Sequence, residues 1–289
     1  MGAGRSGSTI LGVTLGNCAE VFYAGELNLW LGRGCTSPLP GAERASFWAR
    51  VRERVEVTPD LLDGAARSLE QSTALFCVTG RPARHRLRGS YRRVAEELYR
   101  AVARVAGATH VVDSSHFPRR ARELQKLEGI DLHILFLVRD ARNIVASYSG
   151  DDRVFPRFNA LNTNAYLWLT YLLSLFVFLR HPSDRRMLVR YEQFISDPEG
   201  VLRDILDHVG SSAAIPDLTA LDTGVAFQGN RILRSDVLAL ERRPVQRRRG
   251  SRITVLLDLP WRAVFASLRP AANAATGSVS ELPEGRPGR

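Results

Sequence analysis

The stretch GAGRSGST at residues 2–9 sets two glycines five positions apart, Gly2 and Gly7, around one cation, Arg5. A glycine-rich loop that opens a helix aims backbone N–H groups and the positive helix end at an anion. Gly4, Arg5, Ser6, Gly7, Ser8 and Thr9 would supply that cradle, with N–H groups along the loop and hydroxyls from Ser6, Ser8 and Thr9. A nucleotide-hydrolysing loop reads G-x-x-x-x-G-K-[ST], with its lysine directly after the second glycine. Here Ser8 stands in the lysine position, and the cation lies inside the loop as Arg5. The loop thus has the form of a phosphate cradle whose charge is differently placed.

Several elements must position such a loop and its partners. TILGVTL (9–15) reads as a helix beginning directly on it. No apolar run precedes Gly2, so the strand that feeds such a loop is expected to be missing or truncated. VFYAGEL (21–27) is a short strand carrying Glu26, and THVVDSS (109–115) is a β-branched run leading to His116 and the basic helix after Pro118. LHILFLV (132–138) is an unbroken apolar run of the kind buried on both sheet faces. It places Arg139 at the carboxyl end of a strand, where open α/β sheets bind ligands, and Ser147 two turns along the next helix. MLVRYEQF (187–194) reads as a further strand, and Asp197-Pro198-Glu199 opens a helix that Gly210 closes. Other helices are expected near 47–56, 60–75 and 90–106. Strands alternating with helices predict an α/β protein, a P-loop-like three-layer α/β/α sandwich around a central, mostly parallel sheet. Residues 1–269 read as a single domain, and the Ala-, Gly- and Pro-rich residues 270–289 as a disordered tail.

Composition narrows the function. The chain has 289 residues, 45% of them hydrophobic, and a net charge of +10 carried by arginine, since Lys126 is its single lysine. A basic balance suits an anionic ligand. Basic stretches interleaved with aromatics are absent, so nucleic acid is not an expected partner. Cys18, Cys35 and Cys77 are widely spaced and form no metal-ligand pattern, so neither a disulfide framework nor a metal site is expected. Residues 1–9 lack the apolar character of a signal peptide, and the cytoplasm is the expected compartment. AYLWLTYLLSLFVFL (165–179) is shorter than the roughly 20 residues a spanning helix needs. It is interrupted by Thr170 and Ser174 and reads as a buried core helix. No transmembrane segment is expected, peripheral membrane contact stays open, and nothing in the sequence speaks to oligomeric state.

Three segments, spread over residues 2–234 with GNRILR at the end, resemble the sulfotransferases that use 3′-phosphoadenosine-5′-phosphosulfate (PAPS). The likeness is to the bacterial branch related to tyrosylprotein and carbohydrate sulfotransferases. GAGRSGST is similar to that family's 5′-phosphosulfate loop, which carries a lysine or arginine inside it. FLVRDARNIVASY, with Arg139 and Ser147 eight positions apart, is similar to its 3′-phosphate motif. VRYEQFISDPEGVLRDILDHVG is similar to its late strand–helix segment. The resemblance implies PAPS as co-substrate without a metal, and transfer of a sulfuryl group to the hydroxyl of a small-molecule, carbohydrate or peptide acceptor. It implies that Arg5 meets the bridging oxygen as charge builds there. Sulfuryl transfer resembles loose phosphoryl transfer, in which catalysis is positioning and electrostatics.

The resemblance also implies a base for the acceptor's proton. Glu26 in AGELNLW is similar to the glutamate of tyrosylprotein sulfotransferases and is the favoured base. His116 in DSSHFP is similar to the histidine of cytosolic sulfotransferases and is its competitor, although the bacterial branch more often has a lysine there. Asp113 is read as orienting that loop. Arg231 and Arg234 in GNRILR are further phosphate contacts by the same likeness, or else a solvated charge run. The branch's cysteine pattern is reduced to Cys35 and the Phe47-Trp48 pair, so the acceptor cannot be carried over. Two other readings stand beside this one: a P-loop kinase or NTPase, disfavoured by Ser8, and a non-catalytic nucleotide-binding relative.

Overall fold

The structure, a computed structural model, describes residues 1–62, 67–70, 81–148, 160–240 and 252–268. Its strands are β1 (Val21–Gly25), β2 (His110–Asp113), β3 (Ile134–Val138), β4 (Arg186–Arg190), β5 (Leu221–Asp222) and β6 (Val237–Leu238). The first helices in chain order are α1 (Ser8–Gly16), α2 (Ala42–Arg52), α3 (Pro59–Leu62), α4 (Arg67–Glu70), α5 (Arg81–Ala106) and α6 (Pro118–Leu124). They are followed by α7 (Ala141–Tyr148), α8 (Ala160–Leu179), α9 (Tyr191–Ser196), α10 (Pro198–His208) and α11 (Arg252–Ser267).

β1 pairs parallel with β2, and β3 parallel with β4. Residues 1–3 lie between the two pairs. The Met1 amine donates to the Leu135 carbonyl at 2.8 Å, and the Leu137 N–H donates to the Met1 carbonyl at 2.9 Å. Gly2 bridges Leu137 in parallel and donates to the His116 carbonyl at 3.5 Å. The order is therefore β1, β2, residues 1–3, β3, β4. Three residues occupy the slot of the strand expected to be missing or truncated, and they tether the loop to β3. Met-Gly-Ala is too short to show a period-2 pattern, which is why no strand was legible there.

Side-chain alternation along the strands defines the layers. In β3, Ile134, Phe136 and Val138 point to one core, packed with α7, α8 and α11, while Leu135 and Leu137 point to the opposite one. In β1, Val21 and Tyr23 join that opposite core with α1 and α10, while Phe22 and Ala24 face α2 and α5. Helices thus cover both faces of a parallel sheet, as the sequence pattern predicts. The antiparallel pair β5–β6 lies outside it.

Local chemistry accounts for the element ends. The Asp197 side chain caps α10 by accepting from Gly200 N–H at 3.1 Å, with Pro198 next in the chain. Arg186 stops α8 by donating to the carbonyls of Phe178, Leu179 and His181. Some boundaries differ from the sequence reading. α5 begins nine positions before residue 90, and the expected helix at 60–75 is represented by α3 and α4, its remaining residues lying outside those described. MLVRYEQF ends as a strand at Arg190, and Tyr191–Ser196 turns helical with Phe194 buried. Its apolar residues at 191, 194 and 195 have helical, not alternating, spacing. α8 is a core helix along one face only. Its inner face, including Thr163, Leu167, Tyr171 and Val177, is buried, whereas Leu161, Leu169, Leu172 and Leu179 are exposed. Leu161–Leu179 is the one helix among the described residues long and apolar enough to cross a membrane, and half of it is buried in the fold. Residues 270–289 and Cys77 lie outside the described residues.

Candidate functional site

The loop meets α1 at Gly7, whose φ of 97° lies in the left-handed region, and no side chain caps the helix. The N–H groups of the first turn are thereby left facing the loop's mouth. Gly7 has a second constraint: a Cβ there would sit 2.3 Å from the Tyr191 ring. Gly4 donates its N–H to Tyr166 Oη at 2.9 Å, and its missing side chain leaves room for Tyr148 Oη. Arg5 itself adopts a left-handed conformation with φ 63°. Its guanidinium carbon lies 6.0 Å from the Tyr148 ring centroid. Ser6 and Thr9 are buried, and Thr9 Oγ1 accepts from the Asn230 N–H at 3.4 Å.

Arg139 stands beside this loop. Its Nη1 donates to the Arg5 carbonyl at 3.0 Å, and its guanidinium lies 4.3 Å from the Tyr191 ring centroid. The Tyr171 hydroxyl donates to the Arg139 carbonyl at 3.3 Å. Arg139 Nε is buried with no hydrogen-bond partner among the described residues. A buried guanidinium donor left over beside an uncapped helix end is chemistry suited to an anion. Ser147 is exposed on α7, which follows Arg139 in the chain.

Glu26 follows β1 and is held by its backbone, whose N–H donates to the Gln228 carbonyl at 2.7 Å. Burial raises its carboxyl to about 7, the Asp113 charge adds to the rise, and Arg5 opposes it. His116, stacked on Phe117 at 4.3 Å, is pushed the other way. Burial lowers its imidazole to about 4, the Met1 amine adds to the fall, and Asp113 opposes it. His116 Nε2 would lie 3.8 Å from a Cβ on Gly4, so it borders the loop.

Asp113 ties the two candidate bases together. Its Oδ1 accepts from the Leu27 N–H at 3.3 Å, next to Glu26, and from the Ser115 N–H at 2.7 Å, next to His116. Its Oδ2 accepts from Tyr99 at 2.5 Å and from Arg120 at 3.1 Å. Burial alone would raise this carboxyl, but Arg120 and the hydrogen bonds of Ser115 and Tyr99 outweigh it and hold it below the usual range. Arg120 is fully buried and also donates to Glu70 at 3.3 Å and Tyr91 at 2.7 Å.

The structure therefore gathers Arg5, Gly4, Ser6, Gly7, Ser8, Thr9, Arg139, Glu26 and His116 at the carboxyl edge of the sheet. Arg231 and Arg234 sit on an exposed turn directly after Gln228–Asn230, the segment that touches Glu26 and Thr9. Tyr148, Tyr166, Tyr191 and Arg120 were not singled out from sequence. Tyr148 adjoins the Ser147 motif and could have been flagged by position. Tyr166 lies in an apolar run that signals only core, and Tyr191 in a segment that reads as a strand. Among the described residues, no group of three or more His, Cys, Asp or Glu side chains is placed to hold a metal ion.

Comparison with known proteins adds the following. A family model described as the sulfotransferase family matches residues 1–214. Among solved structures, the chain is similar to the sulfotransferase domain from the Synechococcus PCC 7002 olefin synthase. That likeness has a TM-score of 0.55 and 19% identity, and it covers 90% of this chain and 92% of that one. It is also similar to the sulfotransferase domain from the curacin biosynthetic pathway. The TM-score there is 0.51 and the identity 14%, over 90% of this chain and 95% of that one. At these identities the two likenesses speak to the fold. No curated protein sequence matches the chain.

Proposed function

From the premise that the chain belongs to the sulfotransferase family, we propose that it transfers a sulfuryl group from PAPS to an acceptor hydroxyl by in-line attack. The observation that carries this reading is the pairing of the uncapped glycine loop with Arg139, whose Nη1 holds the loop and whose Nε has no partner among the described residues. The residues present fit a donor with two anionic ends. The loop N–H groups, Ser6, Ser8 and Thr9 would hold the 5′-phosphosulfate. Arg139 and Ser147 would hold the 3′-phosphate, with Arg231 and Arg234 closing over it from the turn after Asn230.

In the transfer, a bond forms between the acceptor oxygen and sulfur as the bond from sulfur to the 5′-phosphate oxygen breaks. Arg5 meets the charge left on that oxygen, and the low-dielectric setting strengthens the interaction. Glu26 takes the acceptor's proton and later returns it to solvent. A carboxyl that titrates at about 7 suits this work, since a base functions best when its pKa is near the working pH. The products are the sulfated acceptor and adenosine 3′,5′-bisphosphate. No metal has a part in this scheme, because a sulfuryl group carries less charge than a terminal phosphoryl. In this reading the enzyme works in the cytoplasm on a small-molecule, carbohydrate or peptide acceptor.

The test is transfer of label from [35S]PAPS to a panel of phenolic, carbohydrate and aliphatic hydroxyl acceptors. Label is expected in at least one acceptor class, and Arg5→Ala is expected to abolish it. Tight binding of adenosine 3′,5′-bisphosphate without label in any acceptor would instead establish a non-catalytic binding protein.

A further inference from the structure

A second basic cleft lies at the other end of the sheet. It has a volume of about 440 Å³ and opens between α6 with its following turn and the C-terminal end of α8. Arg122 and Lys126 line one wall, and Arg180 and Arg185 line the other. Leu127, Leu132 and Phe176 form part of its apolar floor. Leu132 precedes β3, whereas the glycine loop meets β3 at Leu137 and Arg139 at its far end. At about 3.3 Å per residue, the two sites are separated by roughly 20 Å along the strand.

The charges in this cleft are unbalanced. Among the described residues, no acidic side chain lines it. Arg122, Lys126 and Arg180 have no ion-pair partner among the described residues, and only Arg185 is neutralised, by Asp131 at 2.8 Å and Asp184 at 4.0 Å. Arg180 is not loose: its guanidinium lies 3.5 Å from the Phe176 ring centroid. Arg122, Lys126, Arg180 and Arg185 are exposed side chains that ring one concavity from its two walls, so their positive field is concentrated at its mouth. Bringing like charges together is unfavourable unless an anion joins them. The apolar floor adds a requirement for a hydrophobic body on that anion, and the volume suits a small organic molecule.

We infer that this cleft binds an amphiphilic organic anion: a sulfate, carboxylate or phosphate head held among Arg122, Lys126, Arg180 and Arg185, with its apolar body on Leu127, Leu132 and Phe176. The inference stands independently of the transfer reaction, since none of these residues belongs to the glycine-loop site.

Calorimetric titration of the full chain tests it, with octyl sulfate below its micellar concentration as the probe and octyl glucoside and inorganic sulfate as controls. Octyl sulfate is expected to bind at least tenfold more tightly than either control. The doubly charge-reversed variant Lys126→Glu/Arg180→Glu is expected to lose that preference with its melting temperature unchanged. Arg180→Lys, which keeps the charge, should retain most of the binding should the double variant fail to fold. Arg5→Ala should leave octyl sulfate binding as it is. Equal binding of octyl glucoside, no binding of octyl sulfate, or loss of binding on Arg5→Ala would each overturn the assignment.

Discussion

Burial raises the Glu26 carboxyl to about 7 and lowers the His116 imidazole to about 4, so a rate profile can tell the two bases apart. A carboxyl accepts a proton only when ionised. If Glu26 is the base, kcat/KM is flat above pH 7 and falls with an acid limb near pH 7. If His116 is the base, the limb moves to near pH 4, because the neutral imidazole persists until then. The limb near 7 is expected, Glu26→Gln should lower turnover by at least ~100-fold, and His116→Ala should stay active. The reverse pattern would reassign the base. Asp113 acts through its neighbours. Asp113→Asn removes the negative charge that helps raise Glu26, so the limb should shift to lower pH even where some activity remains. At this scale the sequence was informative for Arg5, Glu26, His116 and Arg139, whose residue types and flanking motifs carry chemistry. It was silent on Tyr166, whose hydroxyl accepts from Gly4 N–H across 162 positions. A tyrosine in the apolar run of α8 is, by composition, only a core residue.

The glycine loop works as an element because backbone and ring shapes fit around it. Gly7 holds φ 97° against the Tyr191 ring, which in turn lies under Arg139. Gly7→Ala meets both a left-handed backbone penalty of about 1–2 kcal/mol and a steric clash that displaces Tyr191. It is expected to weaken adenosine 3′,5′-bisphosphate binding at least ~10-fold, measured by calorimetry, and unchanged affinity would show that the loop does not need this geometry. The helix start at Ser8 and the strand before Arg139 were legible because glycine spacing and an unbroken apolar run are local signals. The strand slot of residues 1–3 was not, since it is specified by hydrogen bonds to Leu135 and Leu137 more than 130 positions away. The exposed outer face of α8 was hidden for a related reason. Leu161, Leu169, Leu172 and Leu179 look the same in sequence as the buried residues between them.

Across the whole molecule, Arg120 joins α4, α5, α6 and β2 by reaching Glu70, Tyr91, Tyr99 and Asp113 from a fully buried position. Removing one partner of a buried charge network typically costs about 3–5 kcal/mol, because the remaining charges are left unpaired. Arg120→Leu should therefore lower the melting temperature by roughly 10 °C for a chain of this size, and a change under about 2 °C would show that the network contributes little. In sequence, Arg120 is one arginine among many in a basic helix, so this role was unreadable without the fold. The three-layer architecture was readable, because alternation of strands and helices is a property of the entire chain.

The central claim is that one site holds both anionic ends of PAPS, with Arg139 serving the 3′-phosphate. Calorimetric comparison of adenosine 3′,5′-bisphosphate, adenosine 5′-monophosphate and ATP–magnesium tests it most directly. The bisphosphate is expected to bind at least tenfold more tightly than the monophosphate, and Arg139→Ala should erase that difference. Binding of ATP–magnesium with none of the bisphosphate would contradict the claim and favour a kinase.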